Sequence, residues 1–128
     1  MKQYVLKLIL PIVALLMLTG CDEDSWRDRQ TIVGSWQVVE TTKVSGACPY
    51  RRGDVFDFCS DGAFYAEGYD LYEEGLWDTG HNYIYIDFDF DGYDDVRARI
   101  RELSPNYMAI DVQDAYYGSR YTLRLVRY

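Results

Sequence analysis

Two hydrophobic patterns divide this chain. Residues 8–18 (LILPIVALLML) are apolar without a break, whereas from residue 34 onward apolar and polar residues alternate in short runs. The first stretch has eleven residues, and a bilayer-spanning helix needs about 20. Pro11 within it disfavours a lasting membrane helix. With Lys2 and Lys7 ahead of it and small residues behind, residues 1–20 read as a signal peptide. The second pattern has the period of half-buried strands. It predicts an all-β domain of eight strands, at roughly 34–44, 54–60, 63–69, 72–79, 83–90, 96–103, 107–113 and 120–127. The connections are short and rich in turn formers, among them Asp61-Gly62, Gly80-His81-Asn82 and Ser104-Pro105-Asn106. Evenly spaced antiparallel hairpins make a meander, and a meander of eight removes its edges by closing into a barrel. A sandwich, the competing arrangement, needs longer crossing connections. Residues 26–33 are the one helical candidate, a short turn or helix leading into the domain.

Alternation also nominates the core: Trp36, Val38, Phe56, Phe58, Phe64, Trp77, Ile84, Ile86, Phe88, Val96, Ile100, Met108, Ile110, Val112, Leu123 and Leu125. In the strand 96–103, Val96, Ala98 and Ile100 alternate with Arg97, Arg99 and Arg101. Keeping those arginines off the apolar face predicts a five-residue loop at 91–95, pairing Phe90 with Val96, Phe88 with Ala98 and Ile86 with Ile100. The outer face then sets Asp89 beside Arg97 and Asp87 beside Arg99.

Charge narrows the choice of partners. Beyond residue 20 the chain carries 21 acidic and 11 basic side chains, a net charge of −10. On average such a surface repels phosphates, so nucleic acid is not an expected partner. Twelve tyrosines follow the signal segment. Tyr65, Tyr69, Tyr72, Tyr116 and Tyr117 are the candidate ligand or partner surface, because tyrosine offers a flat apolar face and a hydroxyl.

Cofactor and catalytic signals are sparse. Asp87-Phe88-Asp89-Phe90-Asp91-Gly92, continued by Asp95, matches the start of a calcium-binding EF-hand loop. Position twelve of that loop is Ala98 where a bidentate glutamate belongs, and the flanks are strands, so no metal or other cofactor is assigned. His81 is the only histidine and sits in a turn, and no nucleophile with a base stands out; the domain reads as non-catalytic. Cys48 and Cys59 form an even pair for an exported protein, and a disulfide between them is expected.

Two resemblances add to this reading. Leu18-Thr19-Gly20-Cys21 resembles a bacterial lipobox, which implies cleavage before Cys21 and acylation of that cysteine. More than one acyl chain makes membrane anchoring stable. Residues 21–30, opening on Asp22-Glu23-Asp24, then form a lipidated acidic tether. In Bacteroidota a similar acidic tract directs lipoproteins to the cell surface, while in enterobacteria an aspartate after the cysteine retains them at the inner membrane. The expected place is the cell envelope, with the outer membrane or cell surface favoured. Residues 31–128 resemble the small lipocalin-like domains of Bacteroidota lipoproteins. The matching residues are Gly34-Ser35-Trp36, the Phe56-to-Gly62 segment, Gly75-Leu76-Trp77 and the closing strand around Tyr121 to Leu125. The resemblance implies a barrel with Trp36 closing one end and an arginine, Arg124 or Arg127, packed over that ring. The resemblance brings no shared ligand; the leading expectation is a binding domain for a small apolar or amphiphilic ligand at one mouth, although so many aromatics in so few residues favour a barrel filled by side chains. The alternative is a protein-interaction or inhibitor module with a filled barrel and a tyrosine-rich surface.

Overall fold

The computed structural model describes residues 26–128. The predicted signal segment, Cys21 and the Asp22-Glu23-Asp24 tract lie outside the described residues. A short helix, α1 (26–32), leads into β1 (Gly34–Ser45), β2 (Val55–Phe58), β3 (Ala63–Glu67), β4 (Tyr72–Gly80), β5 (Tyr83–Asp87), β6 (Val96–Leu103), β7 (Tyr107–Asp114) and β8 (Ser119–Arg127). Each strand pairs antiparallel with the next, and β8 returns to β1, so the sheet is a closed barrel without a free edge. Eight strands, their order and their closure agree with the expectation from alternation. Helix α1 takes in residues 26–30, the second half of the predicted tether, and its Ile32 is buried in the core.

The barrel has two unlike ends. At one, α1 lies with the β2–β3, β4–β5 and β6–β7 turns. The β4–β5 turn is tight: His81 and Asn82 both have positive φ, 50° and 68°, as a two-residue hairpin between Gly80 and Tyr83 requires. The other end carries the longer β1–β2 loop (46–54), the β3–β4 turn, the β5–β6 loop (88–95) and the β7–β8 turn.

The register of the β5–β6 hairpin differs from the prediction. Ile86 pairs with Val96 and Ile84 with Ala98, and Arg97 lies beside Tyr85 rather than Asp89. The faces are as predicted, but β5 stops at Asp87 and the loop runs eight residues, 88–95. Carboxylates at both hairpin ends explain why. Asp87 accepts backbone N–H groups of Asp89 (3.1 Å) and Gly92 (2.9 Å), while Asp95 accepts the N–H of Phe88 (2.8 Å). These bonds satisfy donors that a longer ladder would have used, and Phe90 turns out of the strand with φ 56°.

Fourteen of the sixteen predicted core residues are buried, while Phe88 and Ile100 are half-buried. Ile32, Tyr50, Ala66, Ala98, Ala109 and Tyr121 join them.

Candidate functional site

At the helix end the residues of the predicted closure do meet. The indole Nε1 of Trp36 donates to the carbonyl of Ile32 (2.8 Å), and the guanidinium of Arg127 lies 4.0 Å from the ring centroid. Arg127 donates to three backbone carbonyls, Thr31 (2.6 Å), Val33 (3.0 Å) and Pro105 (2.9 Å). It therefore ties α1, the start of β1 and the β6–β7 turn together. Gly34 has φ 126°, and a Cβ there would stand 2.7 Å from Nη1 of Arg127, so both conformation and space demand glycine. Arg124 is exposed on the outer wall, 3.8 Å from Glu40, and takes no part. A second pair seals the same end: Arg29 of α1 lies 4.3 Å from the ring of Trp77, whose Nε1 donates to the carbonyl of Cys59 (2.9 Å).

The interior is filled by a chain of aromatic rings. Tyr50 meets Phe56 edge-on at 4.7 Å, Phe56 meets Phe64 at 5.6 Å, and Phe58 meets both Phe64 and Trp77 at 5.1 Å. The void left between Tyr50, Phe58, Ile84, Ile110 and Leu123 measures about 20 Å³. That is room for about one water molecule, whereas pockets for small organic ligands run to about 300 Å³ or more. Among the described residues this interior holds no chamber for a small organic ligand; large aromatic side chains occupy the space that eight strands enclose.

Tyr50 is the plug at the loop end, 5% exposed although it belongs to the β1–β2 loop. Around it stand Tyr121, Asp114, Glu73 and Tyr117. The hydroxyl of Tyr121 donates to Asp114 (2.6 Å), which also accepts the backbone N–H of Tyr117 (3.0 Å). The hydroxyl of Tyr117 donates to Glu73 (2.9 Å). Burial raises the pKa of Glu73, against the lowering effect of its bonds to the Tyr50 and Tyr117 hydroxyls. Burial and the bond to Asp114 push Tyr121 far up, burial raises Tyr50 strongly, and burial with the Glu73 bond pushes Tyr117 up to about 12. These phenols and carboxyls bond to one another across the loop end of the barrel.

The five predicted tyrosines fall into two groups. Tyr116 and Tyr117 meet edge-on at 5.1 Å, and Tyr116 rests on Phe88 at 5.3 Å, so these rings form an exposed aromatic rim at the loop end. Tyr65 and Tyr72 lie instead on the outer wall of β3–β4 on either side of Glu74, which accepts the Tyr72 hydroxyl (2.5 Å). Tyr69 is 94% exposed at the tip of the turn joining those strands. Sequence reasoning missed Tyr50 and Asp114 and read Glu73, beside Glu74, as part of a solvated acidic face. None of them carries a readable signal, since Tyr50 sits in a non-periodic loop and the two acids resemble any solvated carboxylate.

The remaining predicted sites come apart. Asp87 and Asp95 are engaged with loop N–H groups, and Asp91 accepts the N–H of Tyr93 (2.9 Å). Asp89 meets Asp87 only through its backbone N–H, and among the described residues no cluster of three or more acids, cysteines or histidines is placed to hold a metal. Cys48 and Cys59 are free thiols rather than a disulfide. Strand β2 separates them: Cys48 lies in the loop-end connection, where its thiol donates to the Tyr50 carbonyl (3.4 Å), and Cys59 in the helix-end turn. Burial is the first cause that raises both thiols above their ordinary range.

No family model, curated protein or solved structure matches the chain.

Proposed function

We propose that this chain is a lipid-anchored, non-catalytic interaction module of the bacterial cell envelope, built on a lipocalin-like barrel and binding a protein partner through its outer surface. The observation that carries the choice is the filled interior. With about 20 Å³ free, the barrel is a scaffold, and binding falls to what it displays. What it displays at the loop end is the rim of Phe88, Tyr116 and Tyr117, with Tyr69 on the neighbouring turn. Exposed aromatic rings grouped on short, well-braced turns are the composition of protein-interaction surfaces. Asp114 braces the β7–β8 turn from inside and Tyr117 is tied to β4 through Glu73, so this rim is pre-organised.

The lipobox-like residues ending at Cys21 support the anchor, and α1 lies at the barrel end opposite the tyrosine rim. A tether entering at the helix end leaves the rim facing away from the membrane.

Photo-crosslinking in the native host tests this reading. A photoreactive residue at Tyr116 or Tyr69 is expected to give a protein adduct of defined mass, and one at Glu40 on the far wall is not. No adduct from either rim position, or an adduct of lipid alone, overturns it. Cys21→Ser is expected to abolish acyl labelling and release the protein from the membrane fraction; unchanged labelling would refute the anchor.

A further inference from the structure

The net charge of −10 beyond residue 20 hides a sharp segregation. Residues 54–96 contain 13 carboxylates and no lysine or arginine, whereas residues 97–127 contain six arginines and three carboxylates. The fold turns this into two walls, with β2–β5 acidic and β6–β8 basic. On the basic wall, the ladder register places Tyr85, Arg97, Gln113 and Arg120 in one cross-strand rank, and Tyr83, Arg99, Asp111 and Thr122 in the next. Between these ranks lies a shallow outer groove of about 440 Å³, lined by Tyr83, Arg97, Arg99, Arg101, Arg120 and Thr122 among others.

Arginine outnumbers carboxylate in this groove, while Asp94 and Asp95 stand in the adjoining hollow that Arg97 and Arg120 also line. Asp111, the one carboxylate lining it, is already shared between Arg101 (3.5 Å) and the Thr122 hydroxyl (2.9 Å). Arg97 lies 4.6 Å from the ring centroid of Tyr83 and makes no ion pair among the described residues. Arg99 and Arg120 likewise have no carboxylate within ion-pair distance among the described residues. Three cations on one concave face concentrate a positive field against the average charge of the molecule. All of them are arginine, the side chain whose planar fork holds a carboxylate or a phosphate two bonds at a time.

We infer that this groove binds an acidic saccharide chain through Arg97, Arg99 and Arg120. Neighbouring residues of one strand face sit about 7 Å apart, and residues two strands away about 10 Å, so the three guanidiniums span successive carboxylates of a short oligomer. Gln113 and Thr122 supply hydrogen-bonding groups between them for hydroxyls, and Tyr83 a ring at the edge. An extended peptide is a poorer fit, since the closed barrel offers no strand edge for main-chain pairing. A second copy of the chain brings the complementary acidic wall, but the net charge opposes that approach. This inference concerns a different wall from the tyrosine rim and stands or falls without it.

The test is calorimetric titration of the domain from residue 22 onward with a galacturonic acid hexamer at low salt. Neutral maltohexaose, inorganic phosphate and a short single-stranded DNA serve as comparison ligands. Arg99 and Arg120 make no ion pair, so R99Q/R120Q leaves the fold intact, to be verified by its unchanged melting curve. The expected result is one-site binding of the hexamer that weakens with salt, falls at least tenfold in R99Q/R120Q and less than twofold in R124Q, with no heat from maltohexaose. Absence of hexamer binding, or equal affinity in R99Q/R120Q, overturns the proposal. Phosphate or DNA binding as tightly at the same arginines replaces the saccharide with a general anion patch. Self-association in sedimentation that R99Q/R120Q abolishes assigns the groove to a second copy.

Discussion

Arg127→Ala removes the one side chain that ties three separate segments across the helix end of the barrel. The guanidinium gives hydrogen bonds to Thr31, Val33 and Pro105 and covers the Trp36 ring at 4.0 Å. A hydrogen bond from a charged donor contributes about 1.5–3 kcal/mol when buried. Arg127 is half-exposed, so about 1 kcal/mol for each bond is the appropriate scale, since water replaces part of what is lost. The stacking over Trp36 adds about 1 kcal/mol. The expected loss is about 3–4 kcal/mol, a large share of the stability of a domain this size. Each kcal/mol corresponds to about 4–8 °C in a domain of about 100 residues, so the melting temperature should fall by more than 10 °C. Urea unfolding followed by Trp36 fluorescence measures it, with the midpoint dropping and the slope unchanged. Arg127→Lys keeps the charge but cannot reach three carbonyls from one ammonium, so it should recover less than half of the loss. A loss below 1 kcal/mol in Arg127→Ala, or full recovery by lysine, would refute the closure argument.

Further outcomes follow from the same geometry. Gly75→Ala places a Cβ 2.8 Å from the Asp87 carbonyl and 3.2 Å from the Phe88 ring, so chemical denaturation should show a loss of about 2–3 kcal/mol. Glu73, with its usual value near 4.5 raised by burial, holds its proton more tightly when folded. Its contribution is therefore complete below about pH 4.5 and is lost as the pH rises through the folded value, a decline that Glu73→Gln should remove from the stability-against-pH curve. In alkaline difference spectra Tyr117 should ionise near pH 12, and its titration should shift toward the ordinary phenol value in Glu73→Gln. Both raised thiols should react slowly with a disulfide reagent in the native domain and fully in urea, giving two per chain beyond residue 21; no reactive thiol in urea would restore the Cys48–Cys59 bond.

Most of the architecture was legible because the barrel is built from period-two alternation, in which each strand declares its own buried face. Trp36 and Gly34 could be placed on sight; Arg124 and Arg127, three residues apart on one strand, belong to opposite faces of it, and it is Arg127, in step with Leu123 and Leu125, that covers the ring. The β5–β6 register escaped because it is decided by two carboxylates capping a loop, and Asp87 and Asp95 look in sequence like any members of an acidic run. The plug of the filled interior escaped for a similar reason. Tyr50 enters the barrel from a loop, where no periodicity marks a residue as core. The basic wall was half visible: Arg97, Arg99 and Arg101 alternate plainly, but their meeting with Arg120 depends on strand pairing 20 residues away.

The claim at the centre of this account is that the barrel is solid and its binding surface lies outside. Native mass spectrometry of the domain from residue 22 onward, produced in the periplasm and stripped of weakly held solutes, tests it most directly. The account predicts the bare mass of the reduced polypeptide, with no apolar passenger gained when fatty acids or lipids are offered. A retained lipid or other apolar molecule, lost when Tyr50→Ala or Phe58→Ala alters the interior, would contradict it and return the function to carriage within the barrel.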